Sequence, residues 1–393
     1  MTLPMTNKEY HKGYVFSSAC IGMLLFGIVM ISLGSVLPEV TEKFQLNEAK
    51  AGFLLTLLPM GILTGSLVFG PLVDWLSYKR ILIAGSLLTL FGLEGIVFST
   101  SLSLLHIAVF CTGLGGGILN GITNAMVSEI SEEDHGANLS LLGVFFGIGA
   151  LGTPVVLGLM KGLYSFETIF AWLGALIIFP ILFFSLIRFP KSCQAMKLPL
   201  KEGLKMARDP MLLLFGFILF FQSGIEGLTN NWTTTYLETV KETKASSALF
   251  ILSSFVAALT ITRIALGKIL RILNPLKVMR FSYVIAIVGC LLLLQGESYL
   301  MLISGMIAVG IGMASGFPVI LGFIGQLYTQ FSGTAFSIVI TIALIGNVIA
   351  NYLMGQVSLY HGIGVFPYFI LIAVFAVFLL LFITKKKYNS KIN

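Results

Sequence analysis

Twelve apolar runs, each long enough to cross a bilayer, divide this chain: 14–38, 50–73, 80–100, 103–128, 138–161, 168–188, 211–236, 246–270, 276–295, 298–325, 333–357 and 363–384. A span needs about 20 apolar residues, because the hydrocarbon layer is about 30 Å thick and a helix rises about 1.5 Å per residue. Within lipid the backbone must satisfy its own hydrogen bonds, so each run is expected to be a helix. Composition closes off a soluble alternative. Charged residues make up 10% of the chain and hydrophobic residues 57%, where a soluble domain carries about 25% charged residues. So few charges cannot cover a globular surface. The net charge of +7 therefore speaks of membrane orientation; the expected partner is the lipid bilayer, with no nucleic acid. The first run begins near Tyr14 and is too long for the h-region of a signal peptide, so no cleavable leader is expected.

Lysine and arginine set the orientation. Alternate connections carry Lys8, Lys12, Lys79, Arg80, Arg188, Lys191, Lys197, Lys201, Lys205, Arg208, Lys268, Arg271, Lys277, Arg280, Lys385, Lys386, Lys387 and Lys391, eighteen in all. The other set carries Lys43, Lys50, Lys161, Lys241 and Lys244, and the remaining base, Arg263, lies inside span 8. The bias predicts that both termini are cytoplasmic. Basic loops and the lack of a targeting segment suit a multi-pass protein of a bacterial inner membrane. Residues 189–210 form the longest internal break, with prolines at both ends and a run of basic residues. It reads as a cytoplasmic linker between a bundle at 1–188 and a bundle at 211–393, and 200–207 has the pattern of an amphipathic surface helix. The halves repeat. A shift of 197 residues lays Gly70 on Gly267, Arg80 on Lys277, Gly113 on Gly310 and Gly115 on Gly312. A shift of 198 lays Ala137 on Ala335 and Gly149 on Asn347. A near-constant offset over several helix pairs is what a duplicated bundle predicts.

Between spans 2 and 3 lies Gly70-Pro-Leu-Val-Asp74-Trp-Leu-Ser-Tyr-Lys79-Arg80. It reads as a short loop at the membrane surface. Gly70 allows two helices to approach, Asp74 can accept from helix N-terminal amides, and the two bases hold the loop on the cytoplasmic side. The stretch resembles the signature loop of the major facilitator superfamily, Gly-x-Leu-x-Asp-x-x-Gly-x-[Arg/Lys]-[Arg/Lys], with Ser77 in place of the second glycine. The resemblance implies twelve helices in two pseudo-symmetric six-helix bundles, the major facilitator fold. It also implies a gating role for Gly70, Asp74, Lys79 and Arg80, with Glu129 at the end of span 4 close to Lys79 or Arg80. The second copy of the loop has degenerated, with Arg271 at the acidic position.

Glycines crowd spans 4, 5 and 10: Gly113-Leu-Gly-Gly-Gly117, then Gly143, Gly147, Gly149 and Gly152, then Gly305, Gly310, Gly312 and Gly316. In lipid this density permits close helix packing. A dinucleotide-binding reading of Gly113–Gly117 fails, since no strand precedes it. Gly147–Pro154 also resembles the glycine-proline bending motif of superfamily exporters.

Polar side chains in a span are costly unless they face a partner or a cavity. Three spans carry them at a four-residue step, which puts them on one face: Asn120 and Asn124; Gln222, Glu226 and Asn230, continued by Asn231 and Trp232; and Asn347 and Asn351. Structural bonding between helices and contact with a solute are both open for the asparagines. The stretch Gly224-Ile-Glu226 to Trp232-Thr-Thr-Thr-Tyr236-Leu resembles span 7 of bacterial sugar symporters of the fucose and glucose/galactose type. Glu94 and Glu226 are the acids well inside spans, and a buried carboxylate can take a proton near neutral pH. Glu226 is the first candidate for proton coupling, and Glu94 could instead be a structural acid. Span 1 has no acid, a departure from the fucose-type symporters that leaves facilitated diffusion open. Arg263 has two readings, a contact for a substrate anion or a brace between helices.

The cysteines and histidines show no metal-type spacing, no cofactor motif is present, and no constellation for catalysis appears, so an enzyme is not expected. The reading is a monomeric secondary transporter working by alternating access. Its substrate-binding set is Asn120, Asn124, Gln222, Asn230, Asn231, Trp232, Asn347 and Asn351. Amides both donate and accept, which suits proton-coupled uptake of a sugar or similar small neutral polar solute. The alternatives are a proton-driven exporter of drugs or other apolar compounds, and a membrane sensor that moves nothing.

Overall fold

The computed structural model describes residues 10–130, 135–190, 206–328 and 332–392. They form α1 (Lys12–Ser35), α2 (Leu37–Phe44), α3 (Glu48–Trp75), α4 (Tyr78–Phe98), α5 (Leu102–Ile130), α6 (His135–Met160), α7 (Phe166–Leu176), α8 (Ile178–Leu186), α9 (Pro210–Thr239), α10 (Ala245–Ile272), α11 (Pro275–Gln295), α12 (Tyr299–Met313), α13 (Gly316–Leu327), α14 (Ser332–His361) and α15 (Phe366–Ile392). Twelve helical segments among the described residues are long and apolar enough to cross a membrane. They fall within a few residues of the expected runs, and the all-α expectation holds.

The differences from the sequence reading are local. The segment 70–80 is mostly helix: α3 runs through Pro71 and Asp74 to Trp75, leaving Leu76 and Ser77 as the connection. Membrane helices tolerate an internal proline where other groups satisfy the freed carbonyl. Span 6 is two helices, broken at Ile177 ahead of Pro180, and span 10 is broken at Ala314–Ser315 ahead of Pro318. Proline lacks the N–H that would bond the carbonyl four residues back, and its ring crowds that carbonyl. Two helices start at a cap followed by proline. Asp209 Oδ1 accepts from the amides of Met211 and Leu212 at 2.7 and 3.3 Å, and Asn274 Oδ1 accepts from those of Leu276 and Lys277 at 3.0 and 3.3 Å. Each cap satisfies amides that have no partner inside the helix. The 200–207 surface helix lies largely outside the described residues.

Contacts gather the chain into two compact units. The first is built from the described parts of Met1–Met30, Gly61–Ala150 and Glu167–Met196. Its centre is α5, where consecutive glycines serve different neighbours. A Cβ on Gly115 would lie 2.6 Å from the Gly85 carbonyl oxygen of α4, one on Gly116 2.7 Å from Val29 of α1, and one on Gly117 2.2 Å from the Ile62 carbonyl oxygen of α3. Real Cβ atoms do not come so close, so glycine alone permits these three crossings.

The second unit is built from the described parts of Ile31–Met60, Leu151–Phe166 and Lys197–Asn393. Its centre is α9, which packs on α14 where a Cβ on Gly346 would meet the Phe220 carbonyl oxygen at 2.2 Å. The end of α1 and the start of α3 belong to this unit. A Cβ on Gly34 would lie 2.2 Å from the Asn230 carbonyl oxygen, and one on Gly52 2.6 Å from Gly355 Cα. Thr234 Oγ1 donates to the Gly34 carbonyl at 2.7 Å. Trp232, Tyr283, Phe215, Phe255 and Phe366 are among the fully buried side chains.

Candidate functional site: a polar cluster around α9

Gln222, Glu226 and Asn230 follow one another on a single face of α9. Gln222 is fully buried, and each hydrogen-bonding atom of its amide is engaged. Its Nε2 donates to Glu226 Oε1 and to the Met313 carbonyl, both at 2.8 Å, and its Oε1 accepts from the Tyr283 hydroxyl of α11. Met313 ends α12. In an unbroken helix its carbonyl would face the amide of Phe317, and the break makes it available to a side chain. Gly316 leaves the room, since a Cβ there would sit 2.4 Å from Gln222 Cδ.

Arg263 of α10 donates from Nη2 to the same Glu226 Oε1 at 2.6 Å, and its guanidinium carbon lies 5.9 Å from the Phe317 ring centroid. The two charged side chains are 27% and 18% exposed, so the pair is shielded yet reachable. Polar atoms here are left unspent. Arg263 Nε and Ser315 Oγ are buried without a hydrogen-bond partner, and Glu226 Oε2 has none among the described residues. The ion pair thus joins α9 to α10 and neutralises both charges inside the span, which relieves much of the cost of placing either one in hydrocarbon.

The remaining candidates form separate groups. Asn351 is fully buried, and its Oδ1 accepts from Asn231 Nδ2 and Trp232 Nε1, both at 3.1 Å. Its Nδ2 donates to the Asn347 carbonyl and Oδ1 at 2.9 and 2.8 Å, and Asn347 Nδ2 donates to the Ser223 carbonyl at 3.2 Å. These four residues therefore knit α9 to α14. Asn230 is half-buried, with its Oδ1 buried and unpartnered. In the first unit, Asn124 Nδ2 donates to the Asn120 carbonyl and Oδ1 at 2.8 and 3.0 Å, and both residues are half-buried. The Glu94 carboxylate packs against Gly174 of α7, where a Cβ would lie 2.2 Å from Oε1.

At the signature segment, the surroundings of Gly70 and the side chain of Asp74 lie outside what the structure describes. Glu129 accepts from the hydroxyl of Tyr78, the residue before Lys79, at 2.5 Å. Lys79 donates to the Ser185 carbonyl near the end of α8, and Arg80 is exposed. The partial negative charge of a helix C-terminus attracts the ammonium group. A further charged group lies in the second unit. Lys161, just beyond α6, pairs with Glu39 of α2 and lies 3.8 Å from Glu238 of α9, and the three side chains are 23%, 21% and 22% exposed.

Sequence reasoning placed Gln222, Glu226 and Asn230 together. It missed Tyr283, the Met313 carbonyl, Ser315, Phe317 and the Glu39–Lys161–Glu238 group. Pro318, following Gly312 and Gly316, was the available signal for the break.

A polar, charge-neutral cluster among membrane-spanning helices marks a protein that handles small solutes within the bilayer. The family model of the Major Facilitator Superfamily matches residues 19–294 and again 243–393, and the chain belongs to that superfamily. It is 26% identical over 309 residues to "Uncharacterized transporter y4wD" of Sinorhizobium fredii, covering 76% of this chain and 78% of that one. It is 23% identical over 362 residues to "Glucose/mannose transporter GlcP" of Bacillus subtilis, covering 89% and 88%. Among solved structures it is similar to the nucleoside transporter NupG, with a TM-score of 0.76, 15% identity and coverage of 96% and 98%. It is also similar to a bacterial homologue of the lysosomal transporter Spinster, with a TM-score of 0.78, 14% identity and coverage of 97% and 98%. The chain is a multi-pass membrane transporter of a small molecule, and not an enzyme.

Proposed function

We propose that the protein takes up a small hydroxylated solute, a sugar or a close relative of one, by proton-coupled alternating access. The observation that carries this reading is the shielded Gln222–Glu226–Arg263 cluster, with unspent donors and acceptors beside the broken span 10. The resemblance of span 7 to sugar symporters and the similarity to a glucose/mannose transporter support it. Glu226 is the coupling acid in this reading. A proton on Glu226 cancels its charge, breaks the ion pair and frees the Arg263 edge, so proton and solute act on one element. Glu94 is the second candidate.

The Asn231–Trp232–Asn347–Asn351 network positions the wall of the site and Asn230 reaches into it, and Asn120 and Asn124 remain solute-contact candidates within the first unit. The linker 189–210 joins the two six-helix halves in sequence. Both termini are cytoplasmic, as the lysine and arginine distribution supports. Gly70, Asp74, Lys79, Arg80 and Glu129 stabilise the inside-closed state, and the protein acts as a monomer in a bacterial inner membrane.

The test is uptake of labelled monosaccharides into proteoliposomes with and without an inward proton gradient. Gradient-driven accumulation is expected. Glu226→Gln should abolish accumulation while leaving solute exchange. Unchanged accumulation by that variant removes Glu226 from the coupling role.

A further inference from the structure

A guanidinium presents Nε–H and Nη2–H side by side, spaced to match the two oxygens of a carboxylate. Arg263 uses half of that edge. Nη2 donates to Glu226 Oε1 at 2.6 Å, while Nε is buried with no partner. Glu226 cannot readily slide across to take both positions. The same Oε1 also accepts from Gln222 Nε2 at 2.8 Å, and Gln222 is fixed in turn by the Met313 carbonyl and the Tyr283 hydroxyl. Glu226 is therefore held to a one-oxygen contact by a buried amide that has no other orientation open to it.

We propose that the solute carries a carboxylate, as a sugar acid or other small hydroxy acid does, and that this carboxylate replaces Glu226 on the Nε–Nη2 edge of Arg263 when Glu226 takes up a proton. This rests on the proton-coupled uptake reading and names the solute within it. Charge bookkeeping makes the link obligatory. Arg263, an ionised Glu226 and a bound carboxylate together leave one uncompensated negative charge inside a span, which is costly there. A proton on Glu226 restores neutrality, so one proton enters with each carboxylate. Among the described residues, no other charged side chain bonds to this cluster; α2, which also packs on α9, brings Glu39, Glu42 and Lys43, and α15, which packs on α9 and α11, brings Lys385, Lys386 and Lys387 toward its C-terminal end. Gln222 shares α9 with Glu226, Arg263 is the charged partner from α10, Tyr283 is the titratable partner from α11, and α12, α13 and α14 contain no Asp, Glu, Lys or Arg. Ser315 Oγ and Asn230 Oδ1, both buried and unpartnered, are candidates for the solute hydroxyls.

The experiment compares D-gluconate and D-glucuronate with D-glucose and D-mannose, using the full chain in proteoliposomes for uptake and in detergent for binding. The acids should accumulate under an inward proton gradient. Their binding to the wild type should tighten on acidification by up to about tenfold per pH unit, as one linked proton requires. Glu226→Gln, which resembles the protonated residue, should bind the acids without that pH slope. Arg263→Lys keeps the charge and loses the fork, and should weaken acid binding at least tenfold, with an unchanged size-exclusion profile showing that it folds. Acid binding that is independent of pH in the wild type overturns the proposal without recourse to any variant. So does accumulation of the neutral sugars alone, or acid binding that Arg263→Lys does not alter; either outcome leaves the uptake reading standing. Failure to move any of the four compounds overturns both.

Discussion

At the scale of the residue, the polar side chains of the spans divide by what is left over. Asn351 spends its amide within the protein: both groups of the amide are bonded, and Trp232 and Asn231 depend on it. Replacing it should therefore be a stability lesion. Asn351→Leu leaves the Trp232 indole N–H and an Asn231 donor buried and unbonded, at about 1–3 kcal/mol each. The expected outcome is a thermal midpoint in detergent lowered by several degrees. Arg263 is the opposite case, a residue with donors left to give. The four-residue step on α9 made Gln222, Glu226 and Asn230 legible as one face. Their partners were not, because Arg263, Tyr283 and Met313 reach them from other helices and no local period records such a meeting.

At the scale of the element, length did most of the work. A run of about 20 apolar residues has few alternatives in lipid, and the segments were readable for that reason. Breaks inside a run were not, since proline and glycine are tolerated in membrane helices and only neighbouring groups decide whether the ladder opens. In span 10 the opening is held by Gln222. Glycine density likewise announced close packing without saying which glycine faces what. The structure separates them, and the separation can be checked by parallel substitutions. Gly346→Ala places a methyl group against the Phe220 carbonyl oxygen and should sharply reduce the yield of folded protein. Gly152→Ala, with no atom beyond its own helical backbone within 4 Å of the added carbon, should be purified at the wild-type level. Equal yields from the two would contradict the packing described for α9 and α14.

At the scale of the whole molecule, the second compact unit draws on distant parts of the sequence. Lys161 sits with Glu39 and Glu238, side chains from three separate stretches. Removing the lysine leaves two carboxylates facing one another with little water. Lys161→Gln should lower the thermal midpoint, and adding Glu238→Gln should recover part of the loss. A double variant no more stable than the single one would show that the two carboxylates do not interact.

The same unit has a consequence for how the chain is made. Thr234 donates to the Gly34 carbonyl across 200 residues of sequence, and Gly52 meets Gly355 later still. As synthesis proceeds from the N-terminus, the first spans enter the membrane long before their partners exist. The bare faces at Gly34 and Gly52 must wait until α9 and then α14 have been synthesised. Assembly of this unit is therefore a late event in biogenesis, and a ribosome that stalls before α14 leaves in the bilayer an intermediate with a glycine-lined surface exposed to lipid.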